Sequence, residues 1–112
     1  MAGLASTPEP PYYAVIFAST TTDDTDGYGE AADRMIELAA DMPGFLGIDS
    51  ARERGVGITV SYWESEDAIA RWKADAEHTV VRETGRTRWY AAYELRVARV
   101  ERAYGFDTTS TP

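Results

Sequence analysis

The run Tyr12–Ser19, which reads YYAVIFAS, limits what the chain can fold into more than any other segment. Its β-branched and aromatic residues are typical of a β-strand. Side chains alternate between the two faces of a strand, and here both sets are apolar. One set is Tyr13, Val15 and Phe17, and the other is Tyr12, Ala14 and Ile16. Because such a strand is expected to be buried on both faces, the chain needs a sheet that is covered on both sides.

Two helices are predicted from residues that recur at helical spacing. The first starts at Tyr28 behind a possible Asp26 cap and stops at Met42-Pro43-Gly44. The second starts at a Ser65 cap, and its apolar stripe consists of Ala68, Ile69, Trp72, Ala76 and Val80. Residues 82–88, which Gly85 interrupts, predict a short further helix or turn.

Three more strands are predicted at 45–52, 58–63 and 89–100, with turn residues at 54–57 between the first two. The resulting order is βαββαβ, which predicts an α+β, ferredoxin-like fold in which two helices cover one face of an antiparallel sheet. The other face would expose too much apolar surface for a single chain, so we expect a homodimer that pairs sheet against sheet. We expect a flexible lead-in at 1–11, one domain at 12–106 and a disordered tail at 107–112.

Composition excludes several classes of function. The net charge of −8 and the scattered Lys and Arg residues argue against a nucleic-acid partner. Since the chain has no cysteine, it can form no disulfide, thiolate metal site or cysteine nucleophile. It has no signal-peptide pattern and no apolar run of membrane-spanning length, so we expect a cytoplasmic protein that does not bind membranes. Neither a Walker loop nor a dinucleotide-binding glycine pattern occurs, which argues against nucleotide and flavin cofactors.

Several segments resemble the antibiotic biosynthesis monooxygenase superfamily. They are Pro43-Gly44-Phe45-Leu46-Gly47, residues 57–63 (GITVSYW), residues 68–73 (AIARWK) and Glu77-His78. The C-terminal segment, with residues 85–90 (GRTRWY), Tyr93, residues 96–98 (RVA), residues 100–102 (VER) and residues 104–106 (YGF), is similar to a bacterial branch whose function is unknown. The resemblance implies a dimeric α+β barrel. It also implies either oxygenation of polyphenolic compounds by O₂ without a cofactor, or binding and degradation of haem.

The haem-degrading relatives use an Asn on the first strand, a Trp and an iron-ligating His. The first strand of this chain has no Asn, although Trp72 lies where the helix Trp is expected. His78 follows that Trp by six residues, a shorter spacing than the haem-degrading members have. The resemblance therefore gives only part of the haem-degrading set.

His78 is the sole histidine, and so the only side chain whose ordinary pKa suits proton transfer near neutral pH. It is our candidate for a general base or, in the haem alternative, the iron ligand. The competing interpretation is a surface histidine near a helix end. An unbroken helix would place His78 away from the stripe that contains Trp72, whereas a break near Glu77 would turn it inward.

Trp72 is the second catalytic candidate, and aromatic side chains with one arginine form the predicted substrate-binding set. That set is Tyr62, Trp63, Trp89, Tyr93 and Arg96. Each ring is equally well explained as core or dimer interface, and Arg96 as an ion pair with Glu94 or across the dimer interface. One His with scattered carboxylates predicts no metal site.

Three hypotheses follow. The first is a cofactor-independent monooxygenase that acts on an aromatic small molecule with O₂. The second is a haem-binding or haem-degrading protein that uses His78. The third is a non-catalytic dimer that binds a small aromatic ligand.

Overall fold

A single antiparallel sheet with strand order β2-β3-β1-β4 organises the computed structural model, which describes residues 3–108. Its elements in chain order are β1 (Tyr12–Thr21), α1 (Tyr28–Ala40), β2 (Phe45–Glu53), β3 (Val56–Trp63), α2 (Glu66–Ala74), α3 (Ala76–Thr84), a π-helical turn (Gly85–Trp89) and β4 (Tyr90–Val100). The predicted ferredoxin-like order is confirmed. The predicted second helix, however, is two helices that meet at Asp75.

The two helix starts differ in how they are capped. Ser65 caps α2 as predicted, since its Oγ accepts a hydrogen bond from the backbone N–H of Ala68 at 3.1 Å. The predicted Asp26 cap of α1 is wrong. Gly27 takes the capping position at a φ of 80° and supplies no side chain. A left-handed backbone of this kind suits glycine because other residues carry a Cβ that clashes there.

The helices lie against one face of the sheet and enclose the core with it. This core consists of Val15, Ala39, Trp63, Ala68 and Trp72. Trp63 has no exposed surface. The α1–β2 turn approaches α2 closely, since a Cβ on Gly44, whose φ is 85°, would lie 2.6 Å from the Cβ of Ala68. The prediction that Val80 belongs to the buried stripe is wrong, because Val80 is 65% exposed and lies outside this core.

The opposite face of the sheet, which we call the open face, carries the even-numbered residues of β1. Strand pairing places Tyr62, Val60 and Ile58 of β3 on this face beside Ala14, Ile16 and Ala18 of β1. At one end, Tyr12 and Ala14 are buried. At the other end, Val56 and Ile58 are 55% and 51% exposed. Both sides of β1 are therefore apolar, as predicted. Neither side of the sheet is fully covered, because Val56 and Ile58 are exposed on the open face and Leu95 and Val97 of β4 on the helix-facing side.

Part of the N-terminal lead-in lies on the open face. The backbone N–H of Ala5 donates to Asp49 Oδ1 at 2.8 Å, and the hydroxyls of Thr7 and Tyr12 are 2.9 Å apart. The predicted flexibility of residues 1–11 stays a prediction, and residues 1–2 lie outside the described part. At the other terminus, Tyr104 and Phe106 are almost fully exposed. The predicted disordered tail lies outside the described part from residue 109 onwards.

No helix within residues 3–108 has the length and apolar character needed to cross a bilayer. The cytoplasmic location stays a prediction, as does the dimer.

Candidate functional site

The break between α2 and α3 determines where the sole histidine lies. Asp75 has extended backbone angles, and its Oδ1 accepts hydrogen bonds from the backbone N–H groups of Glu77 at 3.0 Å and His78 at 3.1 Å. The hydroxyl of Thr79 donates to the Asp75 carbonyl at 3.0 Å. Asp75 thus ends one helix and caps the next, which changes the direction of the chain three residues before His78.

The new direction folds the His78 ring back on to Trp72. Their ring centroids are 4.2 Å apart with an interplanar angle of 19°. The Nδ1 atom of His78 lies 2.7 Å from the backbone carbonyl oxygen of Trp72. Since a carbonyl can only accept, Nδ1 carries the proton and the neutral ring keeps its lone pair on Nε2. Nε2 has no hydrogen-bond partner among residues 3–108, so it is the free basic atom.

Burial lowers the pKa of His78 below its ordinary value of 6.5. The Arg82 charge acts in the same direction, while the hydrogen bond to Trp72 and the Asp75 charge oppose it. His78 is therefore neutral at neutral pH. A neutral imidazole with a free Nε2 can accept a proton from a bound molecule or ligate a metal.

Trp72 belongs to a series of aromatic contacts that runs outward from the sheet. Phe45 meets Trp63 edge to face at 5.4 Å, and Trp63 stacks on Trp72 at 6.1 Å. The indole of Trp63 donates to Ser61 Oγ at 2.9 Å. Trp72 is 9% exposed, and its ring contacts are with Trp63 and His78, so little of its surface is left for a ligand. The structure thus brings Trp63, Trp72 and His78 together.

A second aromatic cluster occupies the other end of the helix-facing side. Its members are Phe17, Tyr28, Trp89, Tyr90 and Tyr93, with centroid separations of 5.3 to 5.8 Å. The predicted residues Trp89 and Tyr93 lie here. The indole of Trp89 donates to the Asp26 carbonyl at 2.9 Å, and Arg86 Nε donates to the Tyr93 hydroxyl at 3.0 Å. Burial raises the pKa of Tyr90, which keeps its phenol protonated.

The predicted substrate-binding set left out three members of this cluster, Phe17, Tyr28 and Tyr90, and a neighbouring arginine. Phe17 and Tyr28 appeared only as strand and helix residues. The guanidinium of Arg52 lies 5.2 Å from the Tyr28 ring centroid and donates to the buried Ser19 hydroxyl. An arginine two residues before a turn carries no signal of such contacts, because they depend on the pairing of β1 with β3 and of β3 with β2.

Tyr62 and Arg96 lie on the open face, across the sheet from His78. Arg96 pairs with Ile16 of β1 and is exposed, with Glu94 on the same side. The Tyr62 hydroxyl donates to Asp49 Oδ2 at 2.9 Å. Burial and the Asp49 carboxylate raise the pKa of Tyr62 to about 12. The predicted substrate-binding set is thus divided between two faces and, on the helix-facing side, between two clusters.

Within residues 3–108, no three His, Asp or Glu side chains converge as a metal site requires.

The chain matches the family model described as antibiotic biosynthesis monooxygenase over residues 11–84. Over 100 residues it is 58% identical to YqjZ of Bacillus subtilis (strain 168), an uncharacterized protein, and the match covers 88% of each chain. Among solved structures it is similar to SnoaB, a cofactor-independent oxygenase from Streptomyces nogalater. That match has a TM-score of 0.72 and 16% identity, and covers 84% of this chain and 97% of SnoaB.

It is also similar to PA3566 from Pseudomonas aeruginosa, with a TM-score of 0.69 and 10% identity over 87% of this chain and 99% of the other. At these identities the two structures show a shared fold.

Proposed function

Because the chain belongs to the antibiotic biosynthesis monooxygenase family, we propose that it is a cofactor-independent monooxygenase acting on an aromatic, phenolic small molecule with O₂. The similarity to SnoaB, a cofactor-independent oxygenase, supports the absence of a cofactor. The substrate is proposed only as a chemical class, a phenolic compound with an acidic C–H bond.

The observation that carries the proposal is the hydrogen bond that orients the His78 ring. Its Nδ1–H is held by the Trp72 carbonyl at 2.7 Å, and its Nε2 is free. Since the pKa is lowered by burial, the imidazole is ready to accept a proton at neutral pH without first losing one. Trp72 acts through His78 as a positioning residue, because its ring and its carbonyl both hold the imidazole.

The reaction requires little else from the protein. His78 removes a proton from the substrate, and the resulting carbanion transfers an electron to O₂. Recombination of the two radicals forms a C–O bond and a peroxide. Loss of water from the protonated peroxide then converts a CH₂ group and O₂ into a C=O group and H₂O, so that one oxygen atom enters each product. The protein contributes the base, the orientation and the exclusion of water.

Tyr93 is the proposed remote substrate contact on the helix-facing side, and Trp89, which is 5% exposed, is proposed to support the second cluster around it. Trp63 is fully buried, so its proposed role is to support Trp72. Tyr62 and Arg96 are left out of this site because they lie on the open face.

We also propose that two chains pair through the open face. Val56 and Ile58 are more than half exposed there, and apolar residues continue from them along β1 and β3. A second copy is the simplest cover for a face whose centre is apolar and whose edges carry Glu53, Glu94 and Arg96, because an apolar centre with a polar rim is typical of interfaces.

Oxygen consumption with dithranol, a phenolic compound with an acidic CH₂ group, tests the proposed activity. Wild-type protein should accelerate oxygen uptake above the uncatalysed rate, and His78→Phe should lose roughly 10²–10⁴-fold of that acceleration. His78→Phe is a matched variant because it keeps a ring against Trp72 and removes only the nitrogens. Equal uptake by both proteins would show that His78 is not the base.

Haem binding through His78 is a second candidate, favoured by the same hydrogen bond. Histidines that ligate metals usually donate their other ring N–H to a carbonyl or carboxylate, as Nδ1 does here. Hemin titration separates this candidate from the first, since a Soret shift that is lost in His78→Ala would support haem binding. If phenols quench the tryptophan fluorescence without oxygen uptake, the non-catalytic ligand-binding hypothesis gains.

A further inference from the structure

Arg82 differs from every other basic side chain of the protein. The chain has 11 Lys and Arg residues, all within the described range, and Arg82 alone among them is partly buried. Its Nε atom is buried and has no hydrogen-bond acceptor among residues 3–108. Buried donors are normally paired, and a partly buried charge without a counter-charge is costly. The charge and the Nε–H donor of Arg82 are therefore expected to be satisfied by a group from outside the described residues.

The nearby carboxylates do not supply that partner. Asp75 uses its Oδ1 to cap α3, and Glu77 pairs with Arg34 at 3.2 Å. No carboxylate of the described residues lies within 4.0 Å of the Arg82 guanidinium. Its one hydrogen bond runs from Nη1 to the carbonyl of Lys73 and is long, at 3.4 Å.

Arg82 also lies beside the proposed base. It follows His78 by four residues on α3, a spacing that places two side chains on the same face of a helix. The two side chains bind successive carbonyls at the end of α2, His78 that of Trp72 and Arg82 that of Lys73. The imidazole of His78 and a guanidinium without a counter-charge thus lie side by side at the α2–α3 junction.

We propose that Arg82 and His78 form an anion-binding subsite that holds an acidic oxygen, a carboxylate or phenolate, of an aromatic ligand. The inference rests on the proposed function only in identifying that ligand as the substrate. Arg82 supplies the counter-charge for the oxygen, and His78 Nε2 donates a hydrogen bond to it once that nitrogen has taken up a proton. In the proposed reaction this arrangement stabilises the anion that forms when the proton leaves.

Calorimetric binding of two matched probes tests the subsite without turnover. The probes are 2-naphthoate and 2-naphthalenemethanol, which share a ring system and differ in charge. Wild-type protein should prefer the carboxylate, and Arg82→Gln should weaken carboxylate binding by about tenfold or more while leaving the alcohol unchanged. Arg71→Gln, on the exposed side of α2, is the control and should change neither affinity.

The sole histidine provides a second measurement that places the anion. Its single imidazole C–H resonance can be followed through a pH titration by NMR. Bound 2-naphthoate should raise the pKa of His78 in the wild-type protein, and 2-naphthalenemethanol should not. If Arg82→Gln does not fold, Arg82→Lys keeps the charge and should retain the preference, and the wild-type titration needs no variant.

The inference is overturned if wild-type protein shows no preference for the carboxylate, or if Arg82→Gln weakens both probes equally. It is also overturned if bound carboxylate leaves the His78 titration unchanged. Loss of dithranol oxidation together with an intact, Arg82-dependent carboxylate preference would reject the oxygenase function and keep the subsite. Dithranol oxidation without an Arg82-dependent preference for the carboxylate would reject the subsite and keep the oxygenase function.

Discussion

The apolar residues on the two faces of the sheet are covered in different ways. On the helix-facing side, α1 and α2 enclose Val15 and Trp63, and that side also carries the only imidazole. On the open face, residues 5–12 cover one end, and Val56 and Ile58 at the other end stay more than half exposed. The helix-facing side thus holds the core and the proposed base, although Leu95 and Val97 of β4 stay about half exposed there. The open face is covered by residues 5–12 at one end and is suited to association at the other.

The largest expected effect is the loss of the core on the helix-facing side. Trp63→Ala should destabilise the protein by about 3–5 kcal/mol, because it leaves a cavity between the sheet and α2. Ile58→Ala on the open face should cost less than about 1 kcal/mol in the isolated chain, because half of that side chain is in water already. Denaturant unfolding measures both, at a protein concentration at which the chain is monomeric. Similar losses would mean that the two faces are equally well packed.

Association is the next effect in size. Ile58→Glu should weaken pairing of two chains by about tenfold or more, because it would bury a charge within an apolar interface. Light scattering at dilute concentration should report about twice the chain mass of 12.4 kDa for wild type and the single mass for the variant. Ile36→Glu, on the outer side of α1 and 39% exposed, is the control and should leave pairing unchanged. A stable wild-type monomer would reject the proposed dimer.

Strand positions and the two faces could be predicted because alternation is a local property. Tyr12 to Ser19 is apolar in both sets whatever the rest of the chain does, and the structure confirms a β1 strand with both sides apolar. The same alternation could have separated Tyr62 from Trp63, since neighbouring residues on a strand point to opposite faces. Placing both in one pocket relied on their aromatic character and neglected the strand geometry.

The α2–α3 junction could not be read from periodicity. The stripe from Ala68 through Trp72 to Val80 keeps helical spacing across Asp75, so the pattern alone predicts one helix. The break forms only if the Asp75 carboxylate binds the backbone N–H groups of Glu77 and His78 more favourably than water does. Tertiary contacts determine which of the two is more favourable. The contact of His78 with Trp72 depends on the break and so was left open by the sequence, as was the burial of Arg82.

Removing the junction's cap should have a smaller effect than either change above. Asp75→Ala should cost about 1 kcal/mol, since two backbone N–H groups lose their acceptor. Asp75→Asn keeps an accepting oxygen and serves as the matched control. If the cap holds His78 against Trp72, the pKa of His78 should lie closer to 6.5 in Asp75→Ala than in Asp75→Asn, which lacks the same charge but keeps the cap, as measured by NMR. Equal pKa values in the two variants would mean that the contact persists without the cap.

On the open face, an aspartate also accepts two hydrogen bonds, but we expect its loss to destabilise the protein less than the loss of the Asp75 cap. Asp49 accepts hydrogen bonds from the Ala5 N–H and the Tyr62 hydroxyl, and it alone links the lead-in to β2 by a hydrogen bond among the described residues. Asp49→Ala should therefore cost less than about 1 kcal/mol globally but speed hydrogen exchange at the Ala5 amide. Asp67→Ala, in the exposed first turn of α2, is a control for loss of an acidic residue and should leave Ala5 unchanged. Equal exchange of the Ala5 amide in both variants would mean that the hydrogen bond to Asp49 does not hold the lead-in on the open face.

The smallest expected effect is the pH dependence of stability near neutral pH, where a group on the helix-facing side titrates and the tyrosine on the open face does not. On the helix-facing side the pKa of His78 is lowered from 6.5, so the folded protein binds its proton more weakly than the unfolded chain does. Stability from this group is fully present above about 6.5 and is lost as the pH falls through the lower folded pKa. On the open face the pKa of Tyr62 is raised to about 12, so it contributes nothing in this window. Wild-type protein should lose stability relative to His78→Phe as the pH falls below 6.5, and the shared carboxylates cancel in that difference. Parallel curves would mean that His78 titrates as it does in the unfolded chain, and its role as a base held neutral by burial would then fail.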